Sequence, residues 1–408
     1  MAQGGTETAA APARSVESPA AIFLVFLRLG LTSFGGPVAH LAYFRHAFVT
    51  QRRWLSEAGY GDLVALCQFI PGPASSQVGF ALGVLRGNGL TGGLAAWLGF
   101  TLPSALLLLA CALGAAAFHG PAAAGILHGL KLVAVAVVAH ATLGMARSLA
   151  PDRARAGIAL AALAIVTFLG GASGQVAAIL CGALAELTLC RGVAPATGGR
   201  LAFPVPARAG IAALALFALL LAGAPLLAVA GGHQATLFDA FYRAGALVFG
   251  GGHVVLPLLQ AETVATGWVP QASFLAGYGM AQAVPGPLFA FASYLGAASS
   301  IASSPAGGAA LATAAIFLPG LLLVYGMLPF WDRWRLHPRA QYAMRGANAA
   351  VVGILGAALV DPVWTAAVFD ARDVALALAG FLLLTAGKAA PWIVVALLAL
   401  GGALLGIS

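Results

Sequence analysis

From residue 20 onward the chain is a succession of apolar runs, many close to 20 residues long, separated by short groups of Gly, Pro, Arg and Asp. Wound as helices, runs of that length match the hydrocarbon core of a bilayer, where only helices and closed barrels can satisfy their own backbone. Charge is too scarce for a soluble solution: 32 of 408 residues (20 Lys and Arg, 12 Asp and Glu), or 8%, against about 25% in an ordinary soluble protein. The sequence therefore predicts an all-α polytopic membrane protein. Residues 1–18 are a small-residue tail expected to be disordered, without the basic n-region of a secretory signal.

About thirteen helical elements are expected. The first, 20–50, is interrupted at Phe34-Gly35-Gly36-Pro37 and the second, 57–86, at Pro71-Gly72-Pro73. Plain helices follow at 92–118, 128–148, 156–170, 174–190 and 208–230. The pattern then restarts, with 237–264 interrupted at Phe249-Gly250-Gly251-Gly252, 271–302 interrupted at Pro285-Gly286-Pro287, and plain helices at 307–330, 342–361, 373–387 and 390–407. The restart is a duplication: Phe26, Arg28, Gly30, Phe34, Gly35, Gly36 and Leu41 return 215 positions later, and Trp54, Gln68, Pro71, Gly72 and Pro73 return 214 positions later. This divides the chain into the tail 1–18, a first repeat 19–190, a linker with one extra helix 191–236, and a second repeat 237–408. Secondary transporters are built from such halves around a midplane site.

The period holds an odd number of crossings whether the broken elements span or re-enter, so the halves are expected in inverted orientation. With a cytoplasmic N-terminus and re-entrant broken elements, 16 of the 20 Lys and Arg fall on the cytoplasmic side, with only Lys131 and Arg372 opposite; thirteen single crossings give 13 against 5. The positive-inside rule favours the hairpins.

Broken helices free backbone groups, which is tolerated only inside protein or against a watery cavity, and the free N–H groups of a helix start attract anions. The first half offers Gly72, Pro73, Ser75 and Ser76 after its proline break; the second offers Gly286 and Pro287 without nearby hydroxyls. A proline kink tuned for packing is the alternative. Arg28 and Arg243 occupy matching places in apolar runs, where a guanidinium faces an oxyanion or cavity, or else snorkels to headgroups. The glycine breaks (Gly35, Gly36, Gly250, Gly251), the matched Gln68 and Gln282, and His253 complete the candidate substrate-binding set, and Glu57 and Asp62 are candidates for proton coupling.

Little else could carry chemistry. The four Cys form no CxxC and read as small apolar residues, no metal or cofactor site is indicated, and no GxxxxGK[ST] loop exists. The net charge of +8 lies dispersed in loops, which speaks against nucleic acid. An enzyme is not expected.

The segments SFGGPVAHLAYFRHAFVTQRRWLSEAGYGDLVALCQFIPGP and FGGGHVVLPLLQAETVATGWVPQASFLAGYGMAQAVPGP resemble the chromate ion transporter family, long-chain bidomain type, and the likeness runs from about residue 20 to 408. The resemblance implies a bacterial inner-membrane protein that exports chromate through oppositely oriented homologous halves; some members are associated with sulfate instead. The family motifs fall on Phe34-Gly35-Gly36, Trp54, Gln68, Pro71-Gly72-Pro73 and their counterparts, with one departure, Gly252 in place of Pro37. The expected partners are a chromate or sulfate-like oxyanion, the lipid bilayer and, as an assembly the sequence leaves open, a homodimer.

In a cysteine-free background, single cysteines at Gln51 and Thr266 should label from opposite sides of the membrane. Labelling from one side only contradicts the inverted arrangement.

Overall fold

A computed structural model describes residues 16–117, 121–189, 203–249, 252–334 and 337–405. Within them every regular element is helical. The first repeat opens with a broken pair, α1 (Pro19–Thr32) and α2 (Gly36–Arg45), the latter running on through a π-helical stretch, His46–Gln51. A second broken pair follows, α3 (Glu57–Phe69) and α4 (Ala74–Arg86), then the long helices α5 (Leu90–Ala117) and α6 (Pro121–Leu149) and the hairpin α7 (Arg153–Leu169) and α8 (Gly171–Leu189). The extra helix α9 (Ala207–Ala230) leads into the second repeat. There the pairs are α10 (Gly232–Ala246) with α11 (Val255–Thr263) and α12 (Gln271–Ala283) with α13 (Phe291–Ala298). They are followed by α14 (Pro305–Met327), the short α15 (Trp331–Trp334), α16 (Pro338–Ala358), and the hairpin α17 (Ala371–Thr385) and α18 (Pro391–Leu405). All four breaks fall where the Gly and Pro motifs place them. Helix α6 begins at Pro121, earlier than the expected 128, since Pro is well suited to a first helical turn.

Among the described residues, five helices (α5, α6, α9, α14 and α16) are long and apolar enough to cross a membrane. The half-helices α1 to α4 have 10 to 14 residues, about 15–21 Å, too short for a core of about 30 Å. Several helices carry a side-chain cap: Ser18 on α1, Ser56 on α3, Asp152 on α7, Ser304 on α14 and Asp370 on α17. Helices α2 and α4, which start at the breaks, have none. Their first N–H groups are left to backbone, water or ligand.

Packing is dominated by small residues that let backbones approach, as expected where lipid removes the hydrophobic drive between helices. Gly30 of α1 lies against the carbonyls of Gly99 and Phe100 in α5, and its counterpart Gly245 of α10 lies against the Ile316 carbonyl in α14. The halves also exchange their last helices. Hairpin α17–α18 packs on α6 of the first half, and α7–α8 packs on α16 of the second. Gly125 and Gly129 of α6 meet Gly402 and Leu398 of α18; Gly346 of α16 meets Gly182 of α8. Arg155 ties α7 to α8 through the fully buried Glu186, at 3.0 and 3.2 Å.

Replacing Gly245 by Ala should destabilise the protein by at least about 2 kcal/mol, because a methyl group there collides with the α14 backbone. Gly223→Ala, in open space on α9, should be neutral or slightly stabilising. Thermal unfolding in detergent and abundance in membranes measure both.

Candidate functional site

The four breaks meet at the centre, and they meet across the halves. The Gly72 N–H of the first proline break donates to the Val248 carbonyl just before the second glycine break, at 2.8 Å; the Gly286 N–H donates to the Ser33 carbonyl just before the first, at 3.0 Å. Both glycines have positive φ, +124° and +104°, which side-chain-bearing residues rarely adopt. Each also sits on the other half's long helix, Gly72 on Gly320 and Gly286 on Ser104. Those contacts follow Pro319 and Pro103, a matched pair of intrahelical prolines 216 positions apart. Gln77 covers the first junction, its Nε2 donating to the carbonyls of Pro71 at 2.8 Å and Gly320 at 3.1 Å. The departure of Gly252 from Pro37 has a packing cause. The two positions touch, and a Cβ on Gly252 would lie 2.9 Å from Pro37 Cγ, so there is room for one pyrrolidine ring only.

Beside this junction lies a cleft of about 430 Å³. Gly35 and Gly36 line it at the start of α2, with Val137 and His140 of α6, His253, Gln282 at the end of α12, and Leu384, Thr385, Lys388, Ala389 and Pro391 around the α17–α18 turn. His140 Nδ1 lies 3.0 Å from Thr385 Oγ1 and His253 Nδ1 lies 2.7 Å from Tyr278 Oη. Gln282 brings its side-chain amide beside the same Tyr278 hydroxyl. Lys388 takes a left-handed conformation, φ +49°, a local strain of the kind concentrated at functional turns. Among the described residues the lining includes Lys388, two histidines and no carboxylate. An uncapped helix start adds a partial charge of about +0.5. Such a cleft suits a small oxyanion.

The chromate transporter family model matches residues 20–187 and again 235–407. The chain belongs to the chromate transporter family. This transporter is 31% identical to a chromate transport protein of Pseudomonas aeruginosa over 83% of its own length and 80% of that protein's. It is 28% identical to a chromate transport protein of Cupriavidus metallidurans, over 83% and 81%. An uncharacterised transporter of Methanocaldococcus jannaschii is 25% identical over 83% of each chain. No solved structure matches it. The double match gives two homologous halves in a multi-pass membrane protein, and the family is one of transporters rather than enzymes.

Within this family member the residues singled out from sequence fall in different places. Gly35, Gly36, His253 and Gln282 line the cleft. Gly250 and Gly251 lie outside the described residues. Pro71, Gly72, Pro73, Pro285, Gly286 and Pro287 form the junction, and the Gly72 and Gly286 N–H groups are taken by the opposite half rather than open to a ligand. Ser75 and Ser76 are buried in α4, Ser75 Oγ lying 3.4 Å from His40 Nδ1. Neither lines the cleft, and Gln68 is exposed on α3, unlike its counterpart Gln282.

The two arginines are not brought together. Arg28 is exposed on α1, while Arg243 reaches Asp239 at 3.0 Å and Glu262 at 3.1 Å, tying α10 to α11. Glu57 is exposed and paired with Arg45, and Asp62 is buried in α3; neither borders the cleft. Sequence reasoning passed over His140, Thr385 and Lys388. They lie on plain helices and a turn, outside the duplicated motifs, and only folding brings 140 beside 385.

Arg243→Gln should lower stability by about 2 kcal/mol, the lower side for a broken buried pair because the guanidinium is one-third exposed. Flux per inserted molecule should stay near wild type, and Arg28→Gln should change neither quantity. Separate measurement of abundance and flux decides.

Proposed function

We propose that this protein is a secondary transporter that exports chromate across the bacterial inner membrane, with inverted halves and the oxyanion held in the cleft beside the breaks. One observation carries the assignment of the site: a helix start, Lys388, His140 and His253 converge on one cleft whose lining, among the described residues, contains no carboxylate. A dianion loses a large hydration energy on leaving water, and donors and positive charge must replace it. The α2 start offers about +0.5 and Lys388 a full charge, while the imidazoles, the Gln282 amide and Thr385 offer directed hydrogen bonds. Chromate and sulfate share charge and tetrahedral shape, so sulfate should compete for these donors.

Everted vesicles loaded with each ion gradient in turn, and given radiolabelled chromate or sulfate, test the reading. Saturable uptake with trans-stimulation is the carrier outcome; non-saturating flux without counterflow means a channel. Lys388→Gln and His140→Gln should each raise KM for chromate by on the order of tenfold, about 1.4 kcal/mol, at unchanged abundance. Wild-type kinetics in both variants would remove the cleft as the binding site.

A further inference from the structure

A second cavity, about 680 Å³, lies at the other end of the same helices. Helix α6 contributes Val137 and His140 to the first cleft but His128 and Lys131 to this one; α12 contributes Gln282 to the first but Ser273 to this one. Nine residues separate Lys131 from His140, and nine separate Ser273 from Gln282, about 13.5 Å along each helix. Helix α17 keeps the same register on α6 throughout. His128 pairs with Asp373 at 2.6 Å and His140 with Thr385 at 3.0 Å, both 245 positions apart. Level with the second cavity on α6, Gly279 of α12 sits against the Leu130 carbonyl with no room for a Cβ, and beyond it towards the first cleft Leu132 and Val133 are fully buried.

Lys131 is the formally charged side chain among the cavity's described lining residues, and the Asp373 carboxylate is close enough to interact with it electrostatically. Lys131 lies within the membrane-spanning stretch of α6, with Nζ 5.4 Å from the centre of the Phe369 ring, and no carboxylate pairs with it among the described residues. The nearest acid, Asp373, has one oxygen on His128 and the other on the Phe369 N–H at 2.9 Å. The Ser273 and Tyr294 hydroxyls lie 3.1 Å apart, one donating to the other, which leaves one hydroxyl hydrogen for a ligand. An ammonium group on a spanning helix with no carboxylate in direct contact keeps donors for an anion or water beside it.

We infer that this second cavity is a distinct station for a tetrahedral oxyanion, centred on Lys131, Ser273 and Tyr294, on the opposite side of the membrane from the first cleft. The inference rests on the proposed function: the same ion passes between the two stations along the α6–α12 pair.

The test uses full-length protein with its native cysteines replaced, carrying Ala272→Cys or Ala389→Cys at the lining of the second or first cavity, and a membrane-impermeant thiol reagent. Molybdate is the probe, because chromate itself oxidises thiols. The two cysteines should label from opposite sides. Molybdate at twice its dissociation constant should slow labelling of Ala272→Cys about threefold, and adding Lys131→Gln should abolish that protection while Lys131→Arg keeps it. Protection at Ala389→Cys but not at Ala272→Cys overturns the second station and leaves the proposed function standing; protection at neither removes the proposed binding site as well. Labelling of both from one side overturns the path. Labelling that responds to anionic lipid but not to molybdate assigns the cavity to headgroups and overturns the inference.

Discussion

Two backbone hydrogen bonds, Gly72 to Val248 and Gly286 to Ser33, hold the centre of this protein together. Each half supplies a donor from its proline break and an acceptor from the approach to its glycine break. A break in a membrane helix is costly because its freed backbone groups have no water to turn to. Here each half satisfies part of what the other has freed, so neither break pair is complete without its counterpart. Pro37 and Gly252 touch at the same place, which makes the single departure from the repeat a requirement of the symmetry. Two identical prolines could not occupy adjoining positions there.

The scaffold is symmetric and the cleft is not. Around the junction, counterpart residues do counterpart work: Gly30 and Gly245 at helix crossings, Pro103 and Pro319 in the long helices. The cleft departs from that pattern. Its charged and hydrogen-bonding groups sit at Lys388, His140 and Thr385, while 215 residues on from His140 stands the apolar Leu355, fully buried. Duplication supplies two sets of breaks and two exchanged hairpins; later substitution has furnished one of the two sides with polar groups.

The sequence made the helices and breaks legible because Gly and Pro act locally. A proline removes a donor at its own position, and a positive φ at Gly72 or Gly286 excludes side chains there whatever the tertiary context. What these breaks face is not local. The motif at Pro71-Gly72-Pro73 looked like an anion cradle because its freed N–H groups were counted and their acceptor, 176 residues away at Val248, could not be. Arg243 looked available for the same reason: Asp239, one turn earlier, was visible in sequence, but the second carboxylate, Glu262, comes from beyond the break. Lys388 and His140 carried no motif at all. The repeated Leu-Pro of α5 and α14, at 102–103 and 318–319, was readable in principle and marks where the proline breaks dock.

The first cleft draws on both halves, and this limits how it can open. His140 and Thr385 belong to different halves yet move together, since α6 and α17 are held in one register by their pair and by His128 with Asp373. Gln282 and His253 belong to the other wall, which is fixed to the break junction through Gly286 and Ser33. A change that widens the cleft without breaking either set of bonds must occur between these two walls. That boundary runs along α6 and α12, where Gly279 rests on the Leu130 backbone. Sliding there moves Lys388 and His140 relative to Gln282 while each wall stays rigid. The oxyanion's donors are therefore split across an interface between the two walls, which is the arrangement by which a bound ion can bias a change of access.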